Sequence, residues 1–429
     1  MARLGAFCFP GTGHINPMTA LASRLRQRGH PVVIFGIADT EERIRAAGAD
    51  FHLIGEEDYP PGTLQKLDQR LGDLKGLATF RFTVERVTNT ARMILRDGPE
   101  AVRQEKVDAL LVDEADMGNN VAEYMRLPFV SIAFFPPLIQ DDRVPPFCFG
   151  WSASEDVFSR VRNRLGMRLL SKVAAPLYSV VNEQRRAWGL NPLLRPGDGL
   201  SQLAQIAQMP RALEFDLANL PPVLQYTGPF VDARQRPAVA FPWERLDGRP
   251  LIYASLGTLQ NGSESIFRVI ASACAGLNAQ LVISLGGGLN PERLGELAGN
   301  PIVVRYAPQL DIVKRAALVI THAGLNTVLE SLAEGVPLVA MPLGNDQPGV
   351  AARVVARGAG IVVSRWRLTP EKLKKAVRRV LEGTTYREAA RRVQAKMRLV
   401  DGLEAAADEI ETSLGLQPSS GKDASFARG

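Results

Sequence analysis

Short apolar runs alternate with longer amphipathic stretches along most of the chain. The runs 4–9, 109–112 and 318–321 are apolar at nearly every position, as in parallel strands that are covered on both faces. Between such runs, apolar residues recur at three- and four-residue spacing, which predicts helices. Alternating strands and helices of this kind are typical of doubly wound, Rossmann-like α/β domains.

The alternation is interrupted near the middle of the chain. Residues 233–249 contain prolines and few apolar residues at any period, which predicts a linker. We therefore predict one Rossmann-like domain over residues 1–232 and a second over 250–402. A helix is expected at 403–416, and the polar residues 417–429 are expected to form a disordered tail. The 429 residues suffice for two domains of ordinary size.

Composition and charge exclude several functional classes. The chain is 46% apolar and 22% charged, as is ordinary for globular proteins. Its net charge is +6, but the basic residues are scattered among acidic ones, so no nucleic-acid partner is predicted. The positive balance favours anions such as nucleotide diphosphates, or a membrane surface. The 3 cysteines include no CxxC pair, so we predict neither a zinc site nor disulfides, and a cytoplasmic location.

The first predicted strand ends at a loop with candidate catalytic chemistry, Gly11-Thr-Gly-His-Ile-Asn-Pro17. Gly11 and Gly13 permit a tight turn, but Asn16 occupies the position of the third glycine in the dinucleotide fingerprint. A nicotinamide or flavin enzyme is therefore disfavoured. His14 lies where ligands bind in this architecture, and its ordinary pKa suits it to accept a proton near neutral pH. The alternative is a structural histidine at the start of a helix.

A carboxylate follows another strand of the same domain. Asp113 ends the run 109–112, and the carboxyl ends of parallel strands meet at one crevice, so Asp113 is expected to face His14. A carboxylate bonded to one imidazole nitrogen fixes the tautomer and stabilises the cation. Glu114 and Asp116 are the neighbouring candidates. The four residues 113–116 also match a helicase motif, but the chain lacks the GxxxxGK[ST] loop that this interpretation requires.

Two further segments of the first domain admit two interpretations each. Phe134, Phe135, Phe147 and Phe149 follow a strand closely, and could line an apolar acceptor pocket or belong to the ordinary core. Residues 157–172 place Val157, Val161, Leu165 and Leu169 at four-residue spacing among five basic residues. Such a helix either docks on the domain with a solvated face or lies on a membrane surface.

Residues 306–347 contain the densest group of candidate ligand-binding side chains. A buried strand at 318–321 leads through a turn into a helix, so backbone N–H groups and the positive helix end suit a diphosphate. His322, Asn326 and Thr327 could add donors there, and Glu330 could accept from ribose hydroxyls. The alternative is that Asn326 and Thr327 only cap the helix and that His322 is an interior histidine.

The next strand in the same stretch brings further polar groups to this crevice. Asp346 and Gln347 follow that strand, at its carboxyl end, and can reach the ligand bound at the preceding turn. A carboxylate accepts hydrogen bonds and an amide both accepts and donates them, so both residues suit sugar hydroxyls.

The loop at 11–17, the segment 253–258 and the stretch 302–347 resemble the signature of the family 1 glycosyltransferases. These enzymes glycosylate small lipophilic molecules from UDP-sugars, and the resemblance covers essentially the whole chain. It implies the GT-B fold, in which two Rossmann-like domains face each other across a cleft and the last helix crosses back to the first domain. It also implies that His14 is the catalytic base and that Asp113 orients it.

The resemblance implies a donor site as well. Tyr306 would stack on the base, Gln309 would lie beside uracil and ribose, and Gly257 would let the β-phosphate approach while Thr258 donates to it. His322, Asn326 and Thr327 would hold the diphosphate, Glu330 the ribose, and Asp346 and Gln347 the sugar. Gly13, Ala307 and Gly324 complete the expected donor-binding set. Leu325 and Ala323 depart from the Trp and Cys usual in plant members, which leaves the choice of sugar open.

The implied reaction is a single displacement with inversion that releases UDP. No metal is expected, because His322, Thr327, Thr258 and the helix end would meet the charge on the diphosphate. No other cofactor is expected, since the UDP-sugar is a co-substrate. The expected transfer is of a hexose, glucose foremost, to a phenolic, flavonoid or polyketide-like acceptor by a monomer or weak dimer. A carotenoid or lipid acceptor at a membrane surface is an alternative, as are a UDP-sugar epimerase and a non-catalytic nucleotide-sugar binder.

Overall fold

The computed structural model describes residues 1–74, 77–217, 220–236, 238–258, 263–287 and 289–417. The predicted disordered tail lies outside the described residues except for Gln417. Two parallel sheets organise the structure, one in each half of the chain. In the described ranges, no helix combines the length and the apolar character that crossing a bilayer would require.

The first sheet has seven strands. They are β1 Leu4–Phe7, β2 Val32–Gly36, β3 Asp50–Leu53, β4 Ala109–Asp113, β5 Phe129–Ala133, β6 Gln205–Ala207 and β7 Leu224–Tyr226. Their order is β3-β2-β1-β4-β5-β6-β7, so the direction of winding reverses between β1 and β4. Ligands of doubly wound domains bind at this reversal, outside the carboxyl ends of the strands.

The second sheet has six strands and a reversal of its own. They are β8 Leu251–Ser255, β9 Gln280–Ser284, β10 Ile302–Val304, β11 Ala316–Thr321, β12 Leu338–Ala340 and β13 Gly360–Val362. The order β10-β9-β8-β11-β12-β13 reverses between β8 and β11. The loops after β8 and β11 are therefore neighbours, although about 65 residues separate them in sequence.

Helices cover both faces of the sheets. They are α1 Thr12–Gln27, α2 Ala38–Ala46, α3 Thr63–Asp73, α4 Leu77–Glu105, α5 Gly118–Met125, α6 Val157–Ala187, α7 Glu264–Cys274, α8 Pro291–Leu294, α9 Gln309–Arg315, α10 Leu325–Ala333, α11 Gln347–Ala356, α12 Pro370–Glu382, α13 Thr384–Met397 and α14 Gly402–Leu414. Successive side chains of a strand point to opposite faces, so Leu4 and Ala6 lie in one core and Phe7 in the other.

The last helix, α14, packs on the first half of the chain. Leu403 and Ile410 lie in the same core as Leu21 and Leu25 of α1. At the crossing, a Cβ on Gly402 would lie 2.6 Å from the carbonyl carbon of Gly228, so this close approach of two backbones requires glycine. The helix is thereby anchored to the domain that contains β1 to β7.

His30 and His52, the two histidines outside the candidate site, each lie next to a carboxylate. His30 is buried, accepts the N–H of Ala2 on Nδ1, and places Nε2 3.2 Å from Glu411 of α14. His52 places Nδ1 2.8 Å from Glu105 at the end of α4. Both partners lie far away in sequence, so local patterns could not reveal them.

A buried ion pair joins the two halves of the structure. Arg353 of α11 donates from Nε to Glu214, which follows β6, at 2.8 Å, and both side chains are buried. The hydroxyl of Tyr226, at the end of β7, donates to the other oxygen of Glu214 at 3.0 Å. Because α11 begins at Gln347, this pair fixes the helix that carries the predicted sugar-binding end of the donor site.

Candidate active site

His14 and Asp113 form a hydrogen-bonded pair at the reversal between β1 and β4. Helix α1 begins at Thr12, so His14 lies in its first turn and not in a loop before it. Its Nδ1 is 2.6 Å from Oδ2 of Asp113, which is fully buried. With Nδ1–H donating to the carboxylate, Nε2 is left with the lone pair that a base needs.

The surroundings of Asp113 and His14 control the charge of the pair. Asp113 also accepts the N–H groups of Phe9 at 3.1 Å and Ala115 at 2.9 Å, which hold its two oxygens in place. Burial lowers the pKa of His14, but the charge and hydrogen bond of Asp113 outweigh burial, so the net pKa is raised. The pair therefore stabilises an imidazolium once a proton has been accepted.

The two other carboxylates of the segment do not hydrogen-bond to His14. Glu114 accepts the N–H of Leu138 at 3.2 Å, and Asp116 accepts the N–H of Gly118 at 2.9 Å. Burial raises the pKa of Glu114 to about 7, and burial with the charge of Asp113 raises that of Asp116 to about 8. Their contacts stabilise the loops on either side of the pair.

Residues 134–156, here called the aromatic loop, form an apolar wall beside His14. The rings of Phe134 and Phe135 lie 5.8 and 6.3 Å from the imidazole, and Phe147 lies 5.0 Å from Phe135. Phe134 and Phe135 are also buried, and Phe134 belongs to the hydrophobic core, as the second interpretation predicted. Phe149 packs against Trp151 with ring centroids 4.3 Å apart, further along the loop.

Two side chains near His14 were missed by the sequence analysis. Phe9 meets the imidazole edge to face at 5.4 Å, and the guanidinium of Arg86 lies 5.6 Å from the Phe9 ring. Phe9 follows β1 directly, so the rule that strand ends face the crevice could have identified it. Arg86 lies on α4, where no local signal marks it, and it is buried in an ion pair with Asp68 at 2.9 Å.

The diphosphate end of the predicted donor site lies at the turn from β11 to α10. The N-cap of α10 is Gly324, and Asn326 and Thr327 lie within the first helical turn. The alternative that these two residues serve as helix caps is therefore wrong. An N-cap without a side chain leaves the helix end open to an anion, as the diphosphate prediction requires.

His322 is held between two glycines at this turn. A Cβ on Gly257 or Gly324 would lie 2.6 or 2.5 Å from its ring, so the imidazole occupies the space that both glycines leave. We expected Gly257 to make room for a phosphate; in the structure it makes room for His322. Burial lowers the pKa of His322 to about 4, so the ring is neutral at pH 7, and its one N–H donates to the backbone of Ser255.

Asn326 connects the two halves of the site. Its Nδ2 donates to the carbonyl oxygen of Gly13 at 3.0 Å, and its Oδ1 accepts from Gln208 at 2.9 Å. A second bridge lies close by, where Thr83 of α4 donates to the side chain of Asn345 at 3.1 Å. Gln208 and Thr83 were missed because nothing in their local sequence indicates a partner more than a hundred residues away.

The predicted nucleotide end contains a chain of hydrogen bonds that ends at Glu330. Gln309 accepts from the hydroxyl of Tyr253 at 3.0 Å and donates to Glu330 at 2.5 Å. The other carboxylate oxygen of Glu330 accepts from Arg236 at 2.5 Å, and Arg236 lies on the predicted linker. Arg236 was not identified from the sequence, because no local pattern connects it with the predicted ribose-binding carboxylate.

Tyr306 lies at the outer edge of this region and is 48% exposed, so its ring is accessible for the predicted stacking on a base. A side chain on Gly287 would coincide with the hydroxyl of Tyr306, so this one position of the glycine run 286–288 makes room for the ring. Residue 288 itself lies outside the described residues. Ala307 packs against the core of the second sheet, and Thr258 is exposed after β8.

The predicted sugar end lies next to His14. Burial raises the pKa of Asp346 to about 6, and the charge of His14 acts in the opposite direction, so the two groups interact across the cleft. Gln347 is buried, and its Oε1 accepts the N–H groups of Leu343 and Gly344 at 2.7 and 3.1 Å. Gln347 thus holds the loop that presents Asp346.

Comparisons with known proteins agree with this arrangement. Residues 204–403 match the family model "UDP-glucoronosyl and UDP-glucosyl transferase". The zeaxanthin glucosyltransferase of Pantoea ananas is 31% identical over 418 residues, which cover 96% of each chain. The demethyllactenocin mycarosyltransferase of Streptomyces fradiae is 28% identical, with 96% of this chain and 86% of the relative covered.

A solved structure extends the similarity to the fold. The calicheamicin glycosyltransferase superposes with a TM-score of 0.71 at 25% identity, and 97% of this chain and 98% of that one are covered. The predicted arrangement of two Rossmann-like domains is thereby confirmed as the GT-B fold. The chain therefore belongs to the family of UDP-sugar-dependent glycosyltransferases, as a GT-B enzyme.

Proposed function

We propose that this enzyme transfers a hexose, glucose foremost, from a UDP-sugar to a hydroxyl of a small lipophilic acceptor with inversion at the anomeric carbon. The observation that carries the proposal is the pairing of His14 with Asp113 at 2.6 Å, beside an apolar wall and facing the donor half. Nε2 of His14 accepts the proton of the acceptor hydroxyl. The oxygen then forms a bond to the anomeric carbon as the bond from that carbon to the β-phosphate oxygen breaks, and UDP leaves.

The donor half supplies groups that stabilise the departing diphosphate. The N-terminus of α10 adds backbone donors and a positive helix end. One ring nitrogen of His322 bonds to the backbone of Ser255, and a bound diphosphate would favour the imidazolium, whose second N–H donates to it. Thr327 lies in the same first turn, and Thr258 follows the neighbouring strand β8. These groups meet the growing negative charge, so we propose that no metal ion is required. Addition of EDTA is expected to leave the rate of UDP release unchanged.

The nature of the acceptor follows from the wall beside His14 and from the relatives. Phe134, Phe135 and Phe147 offer apolar contact and only weakly polar ring edges, which suits a lipophilic molecule with few hydroxyls. The names of two relatives designate a glucosyltransferase for zeaxanthin and a mycarosyltransferase for demethyllactenocin. A hydroxylated carotenoid or lipid is the second candidate acceptor, favoured by the first of these names. An epimerase would have no use for such a wall.

The test is product analysis with a panel of donors and acceptors. Purified enzyme would be given UDP-glucose or dTDP-glucose with a flavonoid, a simple phenol, a macrolide or a hydroxylated carotenoid, and masses would be measured. A gain of one hexose on an acceptor supports the proposal, whereas conversion of UDP-glucose only to an isomer would overturn it. His14→Ala is expected to abolish transfer. His52→Ala is the matched control, because His52 also pairs with a carboxylate, at 2.8 Å, away from the site.

A further inference from the structure

Helix α6 exposes a row of apolar side chains that the proposed reaction does not use. The exposed fractions are 74% for Val157, 90% for Phe158, 44% for Val161, 57% for Leu165 and 54% for Leu169. Four of these residues recur at every fourth position, so they lie along one side of the helix. The opposite side, with Gly166, Leu170 and Ala174, is buried against the domain. A helix that only docked on its domain would place the larger apolar residues inward.

Cationic residues flank the exposed row. Arg160, Arg162, Arg164, Arg168 and Lys172 lie within residues 157–172, and the sequence contains no Asp or Glu from 157 to 182. Asp142 pairs with Arg160 at 2.8 Å and with Arg164 at 2.5 Å, which offsets part of the charge. Within the described part of the chain, Arg168 and Lys172 form no ion pair. The surface of α6 therefore combines apolar contact with a positive charge.

The buried side of α6 contacts the aromatic loop. A Cβ on Gly166 would lie 2.7 Å from the ring of Trp151, and Met167 shares the lining of a small cavity with Phe147. Phe147 in turn packs on Phe135, beside His14. The exposed apolar row thus lies on the outer side of the segment that forms the acceptor wall.

We propose that this face of α6, residues 157–172, docks on the surface of an anionic lipid bilayer. The charge decides the occupant, because basic residues next to apolar ones attract acidic headgroups while the apolar side chains enter the acyl boundary. A second copy of the chain suits the face poorly, since a twofold contact would bring the same cations together. That docking delivers a membrane-dissolved acceptor to the aromatic loop is a consequence that rests on the proposed function.

The test uses the full chain and vesicles of two compositions. Sedimentation with vesicles of neutral phosphatidylcholine, alone or with 30 mol% phosphatidylglycerol, is measured at low and high salt. We expect binding to the anionic vesicles that high salt reverses. Arg168→Gln with Lys172→Gln should lower the partition coefficient by about tenfold or more, since each basic residue near the surface contributes roughly fivefold. Leu165→Ser with Leu169→Ser should lower it by a similar factor, through lost apolar burial.

Leu399→Ser with Val400→Ser is the matched control, because these two exposed apolar residues lie between α13 and α14. This variant should bind vesicles like the wild type. Equal wild-type binding to neutral and anionic vesicles, or undiminished binding by the Leu165/Leu169 variant, would overturn the proposal. The proposal would also be overturned if the wild type bound no vesicles but formed a dimer that the Leu165/Leu169 variant does not form. That result would identify the face as a protein interface. Transfer to a water-soluble acceptor is measured separately, so failure of the proposed function is distinguished from failure of docking.

Discussion

Asn326 of α10 donates a 3.0 Å hydrogen bond to the carbonyl oxygen of Gly13, the residue before His14. The two halves of the structure are therefore joined one residue from His14, the proposed base. Gln208 holds the same amide from its other side. This bridge sets the position of His14 relative to the diphosphate turn, and positional errors of about 1 Å can cost about 10²-fold in rate.

Asn326→Ala is accordingly expected to lower kcat more than it weakens binding of UDP. The bridging bond contributes about 1 kcal/mol, and its loss frees α1 to shift relative to α10. Steady-state kinetics and calorimetric titration with UDP would separate the two effects. Should the Kd for UDP rise as much as kcat falls, Asn326 acts mainly on the diphosphate, as the family resemblance alone implies.

The pair of His14 and Asp113 predicts a particular dependence of activity on pH. A base must be neutral, and the pKa of His14 is raised, so activity should fall on the acid side at a pH above the ordinary histidine value. Asp113→Asn removes the charge that raises this pKa and leaves burial, which lowers it. The acid limb should therefore move to lower pH while kcat falls about 10²- to 10⁴-fold. If the acid limb of this variant stays at the wild-type pH, the pairing with Asp113 is not the cause of the raised pKa of His14.

Ionisation of Asp116 should make the stability of the folded protein depend on pH. Its pKa is about 8 in the folded state, well above the ordinary value, so folding favours the protonated form. The resulting stabilisation is present at low pH and is lost as the pH rises through about 8. Between pH 5.5 and 8, the wild type should lose about 3 kcal/mol relative to Asp116→Asn, which cannot ionise. Urea denaturation at the two pH values measures this difference, and parallel profiles for the two proteins would contradict it.

The ion pair between Arg353 and Glu214 predicts a large loss of stability on truncation. Arg353→Met leaves a buried carboxylate without its cation, which should cost about 3–5 kcal/mol. Arg378→Met is the control, because its pair with Glu382 is exposed, at 3.7 Å, and contributes roughly 0–1 kcal/mol. Denaturant unfolding of both variants gives the comparison. Equal losses in the two variants would mean that the buried pair contributes no more to the free energy of unfolding than the exposed pair.

Substitution of Gly324 tests whether binding of UDP depends on the position of the His322 ring. In Gly324→Ala the new Cβ would lie 2.5 Å from the imidazole and displace it, with loss of its proposed hydrogen bond to the diphosphate. Such a bond to a charged group contributes about 1.5–3 kcal/mol, so the Kd for UDP should rise about tenfold or more. Gly150→Ala is the control, since its Cβ would make only ordinary contact with Pro348 at 3.5 Å. Unchanged affinity for UDP in Gly324→Ala would remove His322 from the donor site.

The sequence by itself determined the two sheets and the edge at which the candidate residues gather. Apolar runs that are buried on both faces, separated by helical periods, require parallel strands with crossover helices. The carboxyl ends of such strands meet at one crevice, so His14, Asp113 and His322 could be assigned to it from position alone. These inferences succeed because periodicity and burial are properties of short segments.

Only the tertiary structure decided which groups are partners. Three carboxylates lie within residues 113–116, at the end of β4 and just after it, and the distance across to α1 shows that Asp113 is the partner of His14. The bonds of Asn326 to Gly13 and of Arg236 to Glu330 join segments that no local pattern connects. Helix α6 shows the same limit: its period predicts two faces, but packing placed small residues such as Gly166 inward and left Leu165 exposed. Which face is buried depends on the shape of the neighbouring surface, and that shape is formed only when distant segments pack together.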